Sequence, residues 1–156
     1  MSNHAEKAGN IGIDYRNTQP FGALCQTDME QEYLSILKSR DHSDTHQYLL
    51  AYVLASMTAG KALPGLSDAL ISLLKDPDYQ LWNRRQALQV LVRFNDQQAL
   101  QKILEDVWQG IISDPEDELL GQLLLSQYRN QISPDEIFNY LRSPKRTDYI
   151  GIYDYF

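Results

Sequence analysis

Three histidines, His4, His42 and His46, are the chain's whole supply of imidazole, and two of them stand four residues apart. On one continuous helix that spacing would set both rings on a single face with Asp44 beside them, a grouping suited to a transition metal. Ser43, however, reads as a helix start between the two, so the pair straddles a cap and no metal is expected. Carboxylates are more plentiful: Asp76 with Asp78, and the run Asp114, Glu116, Asp117 and Glu118. General acid–base chemistry needs two carboxyls in a cleft with pKa values pushed apart. These acids instead sit where helices should begin, and capping of free backbone N–H groups accounts for them. Cys25, the single cysteine, excludes an intramolecular disulfide and suits a reducing compartment. It reads as a small apolar packer beside Leu24, since a reactive thiol needs a partner base that the sequence does not announce. No Gly-rich phosphate loop or dinucleotide fingerprint is present, and no cofactor is expected. What remains is Trp82, Arg84 and Arg85, residue types that anchor protein interfaces. Two readings stand: a protein-interaction patch, or Trp82 packed between repeats with the arginines paired to nearby acids.

The elements that must carry these residues are legible from punctuation. Asp76-Pro77 lies between two apolar helical stretches, and Asp114-Pro115 occupies the same place 38 residues later. SDALISLLKDPDYQLWNRRQALQVLVRF (67–94) and QQALQKILEDVWQGIISDPEDELLGQLLLSQY (97–128) share one grammar of helix, tight turn, helix. A period of this size belongs to helical repeat arrays, in which a unit buries its apolar face only by stacking on a neighbour. A first helix is expected from Thr27, with Thr27 and Glu30 as a capping box and Tyr33, Leu34 and Leu37 as its stripe. A second should start near Ser43 or Asp44, carry Leu49, Leu50, Val53, Leu54 and Met57 inward, and stop before Gly60.

A third helix follows Ser67 and uses Leu70, Ile71 and Leu74. A fourth, after Asp76 or Asp78, places Leu81, Leu88, Leu91 and Val92 inward, with Ala87 allowing close approach. A fifth begins near Asp96 with Leu100, Ile103, Leu104 and Val107. The sixth is expected to start at Asp114-Pro115, with the proline in the first turn and Glu116, Asp117 and Glu118 beside the positive end of the helix dipole. A short seventh follows Ser133-Pro134, capped by Ser133 and Glu136, with Ile137, Phe138 and Leu141 as its apolar face. The expected fold is therefore all-α: a HEAT-like α-α superhelix of about three helix pairs plus a short C-terminal helix. The domain boundaries are an irregular segment over 1–26, a helical-repeat domain over 27–142 and an aromatic segment over 143–156.

The bulk properties narrow the function. A chain of 156 residues fits one domain with a sizeable core. A net charge of −7 with scattered lysines and arginines argues against a nucleic-acid binder, which needs a basic face. No signal peptide or apolar run of membrane-spanning length is present, so a cytoplasmic location and no membrane partner are expected. The chain ends on Tyr153, Tyr155 and Phe156, large groups where termini are usually polar and loose. Either this segment docks on the last helix or the chain is cut from something longer, and the second is preferred.

Three stretches carry a resemblance: NIGIDYRNTQPFGAL (10–24), the residues 114–156, and the helix pairs between them. Together they resemble a region of large bacterial NACHT-like, STAND-class ATPases, where helical repeats lie downstream of the nucleotide-binding domain. Members of that group look like D-D-E-L-x-G-x-x-L-x-x-x-W-P, then a Ser/Thr-x-E-E-L-F helix, then Pro-Pro-Lys and an aromatic I-G-x-Y-x-x-F. The matching positions are Asp117, Glu118, Leu119, Gly121 and Leu124, then Ser133, Glu136 and Phe138, then Pro144, Lys145, Tyr149, Ile150, Gly151, Tyr153 and Phe156. Tyr128-Arg129 stands where the family has Trp-Pro. The resemblance implies a non-catalytic arm, linker or sensor segment of a signalling or defence switch, with other domains of a larger chain or a protein partner as its contacts. It also draws attention to Gly121. A glycine inside a helix costs about 1 kcal/mol relative to alanine, so another backbone is expected close by and Gly121→Leu is expected to destabilise. The alternatives are a free-standing HEAT-like adaptor and an enzyme acting on nucleic acid from a helical-repeat scaffold, the latter disfavoured by the charge.

Overall fold

The computed structural model describes residues 29–128, 132–148 and 150–155. Cys25, Thr27, Tyr149, Phe156 and the 1–26 segment, with the expectations placed on them, lie outside the described residues. Those described are all-helical, with no strand among them. Seven α-helices follow in order: α1 (Glu30–Lys38), α2 (Asp44–Ala59), α3 (Ser67–Lys75), α4 (Leu81–Phe94), α5 (Gln97–Trp108), α6 (Glu118–Tyr128) and α7 (Pro134–Ile137). Short 3-10 turns cover Pro64–Leu66, Phe138–Tyr140 and Ile152–Tyr155. No helix among them is long and apolar enough to cross a membrane.

Most helix ends obey the local chemistry of their sequence. Ser43 caps α2, its side chain accepting from the His46 N–H at 3.3 Å. Asp96 caps α5 by accepting from the Ala99 N–H at 3.1 Å. Ser133 and Glu136 close a reciprocal capping box on α7. Asn95 ends α4 in the left-handed region at φ 56°, which asparagine tolerates better than most residues.

Four expectations fail, each for a local reason. Helix α4 starts at Leu81, not after Asp76 or Asp78. The Asp76 carboxylate accepts from the Asp78 N–H at 3.0 Å, so the Asp-Pro pair builds a turn and the helix waits three residues. Helix α6 starts at Glu118, and Pro115 lies in the preceding turn. Phe138, expected inward, is 69% exposed because α7 tightens into the 3-10 turn and swings it outward. Leu49 is likewise exposed; α2 is apolar on nearly every side, so its pattern does not choose a face.

Packing follows the helix pairs. Helix α2 lies along α4 and α4 along α6, forming one row; α1 lies against α3, α3 against α4, and α5 against α6. Leu50, Leu54, Leu70, Leu74, Leu88 and Leu104 are fully buried between them, each contributing roughly 1.5–3 kcal/mol. Polar ties cross the same interfaces. Asn83 of α4 donates to the Gln47 side chain and carbonyl of α2 at 2.7 and 3.0 Å. Arg93 donates to the Met57 and Gly60 carbonyls, satisfying the open end of α2.

Candidate functional site

The acidic run and the basic stretch Arg142-Ser-Pro-Lys145-Arg146 meet at the head of α6. Three carboxylates there are almost wholly buried: Asp114, Asp117 and Glu118 are each 1–2% exposed. Asp114 acts as a distant cap, with Oδ1 accepting from the Leu119 N–H at 3.2 Å and Oδ2 from Leu120 at 2.9 Å. Burial pushes its carboxyl above the ordinary carboxylate range, opposed by those two N–H groups and by Lys145. Asp117 sits at φ 54°, and its carbonyl accepts the Gly121 N–H that opens the helix. Its Oδ1 takes the Arg142 guanidinium at 2.9 Å and its Oδ2 the Lys145 backbone N–H at 2.7 Å. Glu118 reaches in two directions: Oε2 pairs with Arg85 of α4 at 3.0 Å, and Oε1 accepts from the Ile152 N–H at 3.3 Å.

Five of the six carboxylate oxygens accept hydrogen bonds and the sixth, Glu118 Oε2, has the Arg85 ion pair, so the group works as a clamp. What it clamps is a strap, described over 142–148 and 150–153, which crosses α6. Lys145 Nζ also donates to the Asp114 carbonyl, and Arg142 to the Trp108 carbonyl at 2.9 Å. Arg146 pairs with Glu116 at 2.8 Å. Tyr153 is buried, and its hydroxyl accepts from the Arg142 N–H and donates to the Arg142 carbonyl at 2.8 Å. The strap passes directly over Gly121: a Cβ there would lie 2.5 Å from Tyr153 N and 2.9 Å from Ile152 C. The close approach expected at Gly121 is present, and the aromatic segment docks on α6.

Set against family models, curated proteins and solved structures, the chain matches none. The remaining sequence candidates separate. Arg84 is not a surface anchor: it is 3% exposed, donating from Nε to the Leu74 carbonyl at 2.9 Å and from Nη2 to the Ser113 carbonyl. Burial lowers its pKa from the usual guanidinium value, with Asp114 and Asp76 opposing. Arg85 belongs to the clamp, its guanidinium carbon 5.9 Å from the Trp82 ring. Trp82 keeps 39% of its surface exposed. Leu119, Leu124 and Gly151 are buried, whereas Ile150 is exposed.

The histidines separate too. His46 is buried inside α2 and Asp44 is exposed at its start. Among the described residues, the metal-ligating types that do converge are His42, Asp76 and Asp78. Arg142 and Arg146 were missed by motif reading. Charge complementarity between DPEDE at 114–118 and RSPKR at 142–146 is the signal that would have found them.

Proposed function

We propose that this chain is a non-catalytic helical-repeat module that binds a protein partner or relays position within a larger assembly. The observation that carries the reading is the connection Arg85–Glu118–Ile152, in which a single buried carboxylate ties α4, α6 and the strap together. Movement of the strap must pull on Glu118 and hence on the neighbouring helix pair. The row of α2, α4 and α6, with α1 and α3 beside it, supports a HEAT-like α-α superhelix. Each helix of that row carries large exposed apolar residues: Tyr48 and Leu49, Trp82, then Leu125 and Tyr128. Such surface on consecutive helices suits a protein contact. The resemblance to STAND-class, NACHT-like ATPases makes a nucleotide-driven signalling or defence switch the natural source of the movement, in the cytoplasm of a bacterium.

The test is the native polypeptide in its source cell, sized by immunoblot and purified with its bound proteins. A product carrying or stably holding a P-loop ATPase is expected, and Glu118→Gln should uncouple nucleotide state from the strap, read as hydrogen exchange at Ile152. A free 18 kDa species holding a non-ATPase partner would replace the relay with an adaptor. A free species holding nothing would overturn both.

A further inference from the structure

We propose that His42, Asp76 and Asp78 form a binding site for a divalent transition metal of the zinc class. The loop between α1 and α2 supplies the imidazole, and the Asp-Pro turn between α3 and α4 supplies both carboxylates. One donor atom from each lies within 4.8 Å of the other two. The separation that argues most strongly is His42 Nε2 to Asp76 Oδ2, at 3.4 Å. Two ligands about 2.0–2.2 Å from a tetrahedral ion stand about 3.4 Å apart, so this edge needs no adjustment to accept zinc. It is long for a hydrogen bond.

The imidazole itself points to a ligand. The ring is half-buried, with 27% of the side chain exposed, yet both His42 nitrogens are shielded from solvent and neither has a hydrogen-bond partner, which is costly for polar atoms cut off from water. An ion on Nε2 removes half of that deficit. The surroundings hold the donors in place. The Tyr79 ring lies 4.5 Å from the His42 ring, and its hydroxyl donates to the Ser39 carbonyl, fixing the loop. Asp76 keeps Oδ1 on the Asp78 N–H, which leaves Oδ2 turned to His42. Asp78 is exposed, and an open cleft lined by Ser39, Arg40, Asp76 and Tyr79 adjoins the group, so water can complete the coordination. The donor set is one nitrogen and two carboxylates, which imidazole weights toward zinc, cobalt or nickel and away from magnesium. A bound ion would join the connection of the first helix pair to that of the second.

Metal-stripped protein should be titrated with zinc chloride by calorimetry, and with cobalt chloride to read the visible bands of low-coordinate cobalt. Uptake of one ion per chain is expected, with magnesium binding far more weakly. His42→Ala should weaken zinc binding by more than the roughly 10–100-fold typical of outer-shell changes. Asp78→Ala, at an exposed turn position that leaves the core intact, should weaken it at least about tenfold. Circular dichroism confirms that both variants fold, and His46→Ala should bind as the parent does. The proposal is overturned by no stoichiometric uptake, by unchanged affinity in either ligand variant, by loss of binding in His46→Ala alone, or by magnesium binding as tightly as zinc.

Discussion

A methyl group added at position 121 would sit 2.5 Å from Tyr153 N, 2.8 Å from Tyr153 Cα and 2.9 Å from Ile152 C, all of them backbone atoms. Backbone cannot rotate away as a side chain does, so in Gly121→Ala the strap must lift by several tenths of an ångström or more. The Ile152–Glu118 bond at 3.3 Å is already long and should break first. Losing that bond and half exposing the Tyr153 ring costs about 2–3 kcal/mol. Alanine for glycine in a helix returns about 1 kcal/mol. The net expectation is a destabilisation of about 1–2 kcal/mol, or a Tm roughly 2–8 °C lower for a chain of this size. The assay is urea unfolding of four proteins: parent, Gly121→Ala, a chain truncated after residue 149, and the truncated chain with Gly121→Ala. Without the strap nothing opposes the new methyl, so the same substitution should stabilise by about 1 kcal/mol. That reversal of sign is a coupling of about 2–3 kcal/mol between position 121 and the strap. Equal stabilisation in both backgrounds would refute the close-packing argument outright.

Three further outcomes follow from the same geometry. Glu118→Gln should destabilise by about 3 kcal/mol, at the low end for a broken buried ion pair because Arg85 still reaches water; equilibrium unfolding against Arg85→Gln and the double variant reads the coupling. The Lys102 ammonium, hydrogen-bonded to Asp106, holds that carboxyl below its ordinary value of 3.8, with Lys75 adding to it. A lowered folded value means the contribution is fully present above pH 3.8 and is lost as pH falls through the folded value. The stability gap between parent and Asp106→Asn should therefore hold steady at neutral pH and close only as pH falls below 3.8. Arg84→Ala should cost about 3 kcal/mol by orphaning the Leu74 and Ser113 carbonyls, whereas Trp82→Ala should cost under about 1 kcal/mol. Thermal melts of the pair decide which side chain serves the fold and which serves the surface.

Local chemistry explains which parts of this architecture were legible. Ser43, Asp96 and the Ser133–Glu136 box set helix starts through bonds spanning three residues, and such bonds are visible in a linear string. The Asp-Pro turns were seen but misplaced, because Asp76 and Asp114 each have two uses for a carboxylate. Asp76 folds back on its own turn, and Asp114 skips to N–H groups five and six residues on. The clamp was only half visible. Gly121 announced a neighbouring backbone without saying which, since the strap lies about 30 residues away in sequence. Arg84 and Arg85 are adjacent and chemically identical, yet one faces the core and the other α6; only tertiary packing distinguishes them.

The clamp also bears on the order in which the protein is made. Asp117 and Glu118 leave the ribosome before Lys145 and Ile152, which lie 28 and 34 residues downstream. At roughly 5–20 residues per second, that interval is about 1–7 s. During it, Asp117 lacks both Arg142 and Lys145 and Glu118 holds only Arg85, so water must solvate the remaining carboxylate oxygens. The third helix pair therefore completes its closure only once Lys145 and Ile152 have been made, so a ribosome that stalls just short of them leaves that unit ajar.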